Sequence, residues 1–175
     1  MGYENLQSYI STGTRWFPSI NWNIKFFGAH MQTVERGWLV PEESHHAFEL
    51  IYILEGSQHT LMEGIRYELQ EGDILFIPPG FKHVNQCLGE QGLTYFVAHF
   101  NVDDPLFRQK MSRSTRFYYH KGTEDNERLK EGAIAWICLL KRGGEYSISD
   151  LFKVQSGLFE ILSILTLSIS SNKEK

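Results

Sequence analysis

The sequence predicts a mainly β fold: an antiparallel β-barrel followed by two C-terminal α-helices. Three patterns carry that expectation. Short runs rich in β-branched and aromatic residues follow one another from residue 24 to about 119, separated by turn-formers. After His120 the apolar period becomes helical. Inside the β-rich stretch, over residues 34–100, polar side chains stand where a barrel interior is expected, His45, Glu49 and His83 foremost.

Taken in order, residues 1–23 are polar and aromatic without sustained period, with Tyr3, Tyr9, Trp16, Phe17 and Trp22, and are expected to form an arm lying over a folded body. Residues 24–120 break into the runs IKFFGAHMQTV, GWLV, FELIYIL, HTLME, IRYEL, DILFI, HVNQC, LTYFVAHFNV and TRFYYH. Pro41, Gly56, Gly64, Glu71-Gly72-Asp73, Pro78-Pro79-Gly80, Gly89 and Asp103-Asp104-Pro105 punctuate them as turns. Residues 121–175 form the helical region. Leu129, Ala133, Trp136, Ile137 and Leu140 mark one face of a helix that Gly143-Gly144 stops, so this helix packs on the barrel. Ser147-Ile148-Ser149-Asp150 then supplies capping residues for a helix to Ser170. Its stripe of Leu151, Val154, Leu158, Leu162, Leu165 and Ile169, widened by Ile161, Ile164 and Leu167, either fills the core of one protomer or forms the seam of a homodimer.

Bulk composition excludes several functions. The chain has 175 residues, 42% of them apolar, enough for a packed core, and a formal charge of −4. That charge lacks the basic excess phosphate contacts require, so this stretch is not expected to grip nucleic acid by itself. Cys87 and Cys138 make no metal-type spacing and are expected as buried thiols in a reducing compartment. With no signal-peptide pattern and no bilayer-length apolar run, the expectation is a cytoplasmic protein without a membrane contact.

Two stretches carry chemistry. If the chain is extended throughout, Glu43, His45, Ala47, Glu49, Ile51 and Ile53 share one strand face, which sets a histidine beside an inward carboxylate. Residues 72–83, GDILFIPPGFKH, run as turn, buried strand, rigid double-proline turn and a new strand opening at His83. His46 should face outward. Leu93, Tyr95, Val97 and His99 share a face of LTYFVAHFNV that points either into the barrel or beneath the helices.

These stretches resemble the paired motifs of the cupin superfamily. Gly72, Pro78, Gly80 and His83 match the second motif at each defined position, with Cys87 where an asparagine is usual. His45, Glu49 and Gly56 match the first, whose leading histidine is replaced by Glu43. Within cupins, H-x-x-x-E-L-I-Y-I-L-x-G followed by E-G-D-I-L-F-I-P-P-G-x-x-H is similar to the N-terminal sensing domain of AraC-type transcription regulators. The resemblance covers residues 34–100, and the two-helix tail fits it. It implies a jelly-roll barrel, a small-molecule effector, and a homodimer through the helices. It also implies DNA contact only through a C-terminal pair of helix-turn-helix units; the polar, charged residues 172–175 read as the start of a linker to them, the other expectation being a solitary cupin sensor.

The expected function is therefore bacterial: binding a sugar or related metabolite in the barrel and relaying its presence to a DNA-binding domain, with no bond made or broken. His45, Glu49 and His83 would hydrogen-bond the effector, and Trp38, Tyr95 and His99 would add contacts. A tryptophan at the mouth, Trp38 or Trp16 or Trp22 of the arm, offers a ring face to a sugar. Leu151, Val154, Leu158, Leu162 and Leu165 would form the dimer contact. No cofactor or metal is expected, since AraC-type sensors keep this frame without generally using one; Glu43 either joins the site or stays out of reach after Pro41. The alternative is a metal-dependent cupin enzyme, an isomerase, epimerase or dioxygenase, with His45, Glu49 and His83 as ligands.

Overall fold

The structure is a computed structural model that describes residues 21–170, with side chains through residue 167. The arm's Tyr3, Tyr9, Trp16 and Phe17, the side chain of Ile169 and the tail 171–175 lie outside the described residues. Along the chain come β1 (Ile24–Val34), β2 (Leu39–Glu43), β3 (Phe48–Met62), β4 (Ile65–Gln70), β5 (Ile74–Ile77), β6 (His83–Gln86) and β7 (Leu93–Val102). They are followed by α1 (Pro105–Ser112), β8 (Tyr118–Tyr119), α2 (Glu124–Arg142) and α3 (Ile148–Ser170).

The strands form two antiparallel sheets that share β3. One has the order β1-β7-β3-β5-β8; in the other, β6 lies between β2 and β3, and β4 pairs with β3 as well. Among the described residues the pairing does not close into a ring, so the barrel is an open jelly roll. The runs FELIYIL and HTLME, with Gly56 between them, are one strand rather than two. Its first half pairs with β5 and β7, its second with β4 and β6, and the register shifts between Ile53 and Glu55. Gly56 makes the transfer at φ 79°, where an added Cβ would collide with the Gly92 carbonyl oxygen. A sequence reader sees that glycine as a turn because a bend within a strand and a turn ask for the same backbone freedom.

Between the sheets lies an apolar core of Val34, Ile51, Ile53, Met62, Leu69, Leu75, Ile77, Cys87, Leu93, Tyr95 and Val97. The opposite face of the first sheet, with Phe48, Leu50, Phe76, Phe96 and Phe100, is covered by the helices. Burial on both faces explains why ILFI of β5 is apolar without alternation. The face expected of α2 is the one that packs down, Trp136 included. Where the sequence predicts only a turn at Asp103-Asp104-Pro105, the structure has helix α1. Those residues are its start: Asp104 Oδ1 accepts the Phe107 N–H at 2.7 Å and Pro105 opens the first turn.

The helix α3 corrects the expected dimer stripe. Leu158, Leu162 and Leu165, with Ile161 and Ile164, are buried inside this protomer, against α2 and the sheet. Of the same stripe, Val154 is half-buried and Leu151 exposed. The double layer of aromatic sheet face and α2 is wide enough to absorb the stripe, which leaves Ile148, Phe152, Phe159 and Leu167 exposed instead. Close approach makes this possible: a Cβ on Gly157 would sit 2.8 Å from the Gly132 carbonyl oxygen and from Trp136 Nε1. One thiol also departs from expectation, since Cys87 is buried but Cys138 lies on the exposed side of α2. No described helix is long and apolar enough to cross a membrane.

Candidate functional site

Four elements and one bend converge on Glu49. The strand order places β7 beside β3 so that Glu49 and His99 are direct cross-strand partners, and β5 brings Ile77 to its other side. The double-proline turn after β5 delivers His83 at the start of β6, opposite Glu43 at the end of β2. The Gly80 N–H donates to the His45 carbonyl at 2.8 Å, which ties that turn to the bend carrying His45. The extended face expected over residues 43–53 is thus broken. The chain leaves β2 at Glu43 and re-enters strand at Phe48, and His45 reaches the site from the bend.

Glu49 Oε2 is the focus. It stands 2.9 Å from His45 Nε2, 3.3 Å from His83 Nε2 and 3.6 Å from His99 Nε2. Glu43 is within reach after all, its Oε1 3.6 Å from His83 Nε2, although its side chain is half exposed. His45 sits between the other two rings, with centroids 5.2 Å from His83 and 5.1 Å from His99. Burial opposes the charge on Glu49. The hydrogen bond from His45, with His83 and His99 close by, nevertheless holds its carboxyl well below the usual range. His45 is raised above an ordinary imidazole chiefly by its bond to Glu49. For His83, burial works against the proton, and Glu49 together with the Phe81 carbonyl outweighs it, so its pKa is also raised.

Both motif histidines have their tautomer imposed by the backbone. His45 Nδ1 lies 3.0 Å from the Ala47 carbonyl and His83 Nδ1 lies 2.9 Å from the Phe81 carbonyl. A carbonyl only accepts, so Nδ1 carries the hydrogen in each ring and Nε2 is turned on Glu49. His83 Nε2 is fully buried and has no hydrogen-bond partner of acceptable geometry. With Nδ1–H on a carbonyl, Nε2 of His83, and that of His45 once it releases its proton to Glu49, is the nitrogen by which such imidazoles ligate metals. Donor atoms of His45, Glu49 and His83 all lie within 4.8 Å of one another, so the residues present fit a divalent transition metal.

The other expected contacts are gathered nearby. Tyr95 faces the barrel core, and its hydroxyl donates to Gln32 Oε1 at 2.8 Å. The Trp38 ring lies 5.3 Å from the Tyr95 ring. His46 is exposed, as expected, and Trp22 is more than half exposed. Sequence reasoning missed Gln32 and His30 on β1, whose ring meets the edge of Tyr95 at 6.1 Å. It also missed a buried amide network deeper in the barrel. There Gln58 Nε2 donates to Thr60 Oγ1 at 2.9 Å and to Asn85 Oδ1 at 3.1 Å, and Thr60 Oγ1 donates to Asn85 Oδ1 at 2.8 Å. The signal was present: Gln58 and Thr60 alternate with outward residues along one strand, a polar pair at inward positions.

The fold and the site can be set beside a known family. The sequence pattern of the AraC-like ligand binding domain matches residues 34–147. The chain belongs to the AraC-like ligand-binding domain family. It is a ligand-binding cupin domain of that family. No curated protein matches the chain. Among solved structures, it is similar to an RmlC-like cupin with a double-stranded β-helix fold from Methanocaldococcus jannaschii, at 21% identity over 41% of this chain and 66% of that one, TM-score 0.39. It is similar to an RmlC-like cupin from Shewanella frigidimarina at 20% identity, 49% and 80% coverage, TM-score 0.39. A variant of Bacillus subtilis oxalate decarboxylase matches at 21% identity over 41% of this chain, TM-score 0.38, and the match spans only 20% of the decarboxylase.

Proposed function

We propose that this AraC-like domain is the effector-sensing and dimerisation part of a bacterial transcription regulator, and that its effector is a sugar or a related oxygen-rich metabolite. The observation that carries this reading is the position of the Glu49 cluster inside a ligand-binding domain of this family, in a barrel whose core also holds the packed rings of Trp38 and Tyr95. A buried carboxylate and imidazoles hydrogen-bond hydroxyl groups, and the Trp38 ring offers apolar area to the C–H face of a sugar. Binding would shift a population of states, and helices packed on the barrel would transmit that shift to a DNA-binding domain. The dimer contact in this reading moves to the residues α3 leaves outside, Phe152 and Phe159 among them.

A panel of monosaccharides, sugar acids and sugar phosphates, screened by thermal shift and followed by calorimetry, tests the ligand class. The expected outcome is a stabilising ligand whose effect is lost on Trp38→Ala and on Glu49→Gln. At a hundredfold excess over Kd the stabilisation is about 2.7 kcal/mol. Binding of none of the panel would sink the carbohydrate assignment. A second reading, a metal-dependent cupin enzyme, is favoured by the free His83 Nε2. When bound, a metal would supply Lewis-acid polarisation of a ligand oxygen; His45 and His83 would then serve to hold it, with Nδ1 anchored on the backbone. Turnover of a bound compound by the metal-loaded protein would move the assignment to an enzyme.

A further inference from the structure

The paired motifs account for three donors, His45, Glu49 and His83, and the position that usually supplies a fourth is Glu43. The cross-strand partner of Glu49 is a histidine that neither motif contains. His99 comes from β7, and its Nε2 approaches the same carboxylate oxygen as the other two imidazoles. We propose that His99 is the third imidazole ligand of a transition-metal site, completing a set of His45, Glu49, His83 and His99 in which a β7 residue does the work of the missing leading histidine.

Three observations support this. A metal bonded to nitrogen and oxygen at about 2.1 Å keeps neighbouring ligand atoms about 3.0–3.4 Å apart. The three Nε2 atoms stand 2.9, 3.3 and 3.6 Å from Glu49 Oε2, which brackets that spacing; the donors of His45, Glu49 and His83 already lie within 4.8 Å of one another, and His99, placed by its approach to Glu49, would draw in to complete the set. Those distances exceed what a good hydrogen bond needs for two of the three, and the buried His83 Nε2 is left with no hydrogen-bond partner. The backbone bonds at Nδ1 of His45 and His83 already select the ligating tautomer. Three imidazoles and one carboxylate suit zinc, cobalt or manganese as dications. Glu43, half exposed and aimed only at His83, is the poorer candidate for the fourth position.

The inference concerns the same site as the effector reading and rests on it for the location of the pocket, not for the identity of the effector. The experiment is titration of metal-free protein with cobalt(II), followed by the visible absorption of the bound ion and by chelator competition, for wild type, His99→Ala, His99→Gln, His83→Ala and His46→Ala. Wild type should bind one ion. His99→Ala and His99→Gln should weaken it by roughly tenfold to a hundredfold and alter the visible bands, while His46→Ala, on the exposed neighbour, should match wild type. Melting in chelator checks that each variant folds. Wild-type affinity and spectrum in both His99 variants would overturn the assignment of His99, and wild type that binds no cobalt, zinc or manganese would overturn the metal site altogether. Sugar binding measured in chelator is a separate readout, so either failure leaves the effector reading to stand or fall by itself.

Discussion

Single residues in this protein act through the partners the backbone provides. Asp150 shows the pattern outside the site: its carboxylate accepts from Arg142 Nη1 at 3.2 Å, Arg142 Nη2 at 3.0 Å, the Ser147 N–H at 3.0 Å and the Ser147 hydroxyl at 2.8 Å. The Asp150 N–H returns a bond to Ser147 Oγ at 3.2 Å, so Ser147 and Asp150 form a capping box at the start of α3. Arg142 first, then Ser147, hold the Asp150 carboxyl well below the usual carboxylate range. A depressed folded-state value stabilises the protein above the unfolded pKa, near 3.9, and that contribution is lost as pH falls toward the folded value. Asp150→Asn should therefore lower Tm at pH 7, and the gap to wild type should narrow between pH 4 and pH 3. A gap of constant width in melts across that range would mean the charge is not what the cap uses. At Glu49 the same logic is inverted in purpose, because its partners are held in place without all being satisfied, which marks a place for something to bind.

Elements meet here by close approach, and that is where element-scale changes should be felt. The crossing of α2 and α3 depends on Gly132 and Gly157, with Trp136 Nε1–H donating to the Val154 carbonyl at 3.0 Å across it. Gly157→Ala pushes a methyl into both the Gly132 carbonyl and that indole, and should cost about 1–3 kcal/mol, measured by urea unfolding; an unchanged midpoint would show that the helices can slide apart freely. The helix α1 belongs to the same scale. From sequence Asp104-Pro105 predicts only a turn, because a helix this short presents too few apolar positions for period to reveal it, and it forms because Phe107 packs on Phe48, ring centroids 5.5 Å apart.

On the scale of the whole molecule, what matters is which apolar surface the fold consumes. Leu158 is wholly buried in the protomer and Phe159, its neighbour, is nearly half exposed. The two substitutions should thus separate folding from assembly. Leu158→Glu places an unpaired carboxylate in the core and should unfold the domain or lower Tm steeply. Phe159→Glu should leave Tm close to wild type and, if α3 forms the dimer contact, shift sedimentation from dimer to monomer. A dimer that survives Phe159→Glu and Phe152→Glu would place the contact on another face. The open barrel and its helical backing are otherwise insulated from each other: the first sheet is the wall between them, with the site on one side and the α2–α3 layer on the other. Under the proposed sensing role, a signal from the site to the helices would have a direct route through β3 and β7, the strands that carry Glu49 and His99 on one face and Phe48, Phe96 and Phe100 on the other.

The sequence by itself determined the strand runs, the two long helices, the double-proline turn and the three motif residues, because each rests on local rules: pleat alternation, helical period, and the backbone limits of proline and glycine. Local rules say nothing of which strands become neighbours. That Tyr95 and His99 face the barrel, that His99 stands opposite Glu49, that Glu43 reaches His83 and that β3 serves both sheets through Gly56 were decided by pairing between residues far apart in the chain. The stripe of α3 was legible as apolar, but not what would cover it, since burial is a property of the partner surface as much as of the helix. Only the assembled sheets supplied that partner, and with it the meeting of three imidazoles on one buried carboxylate.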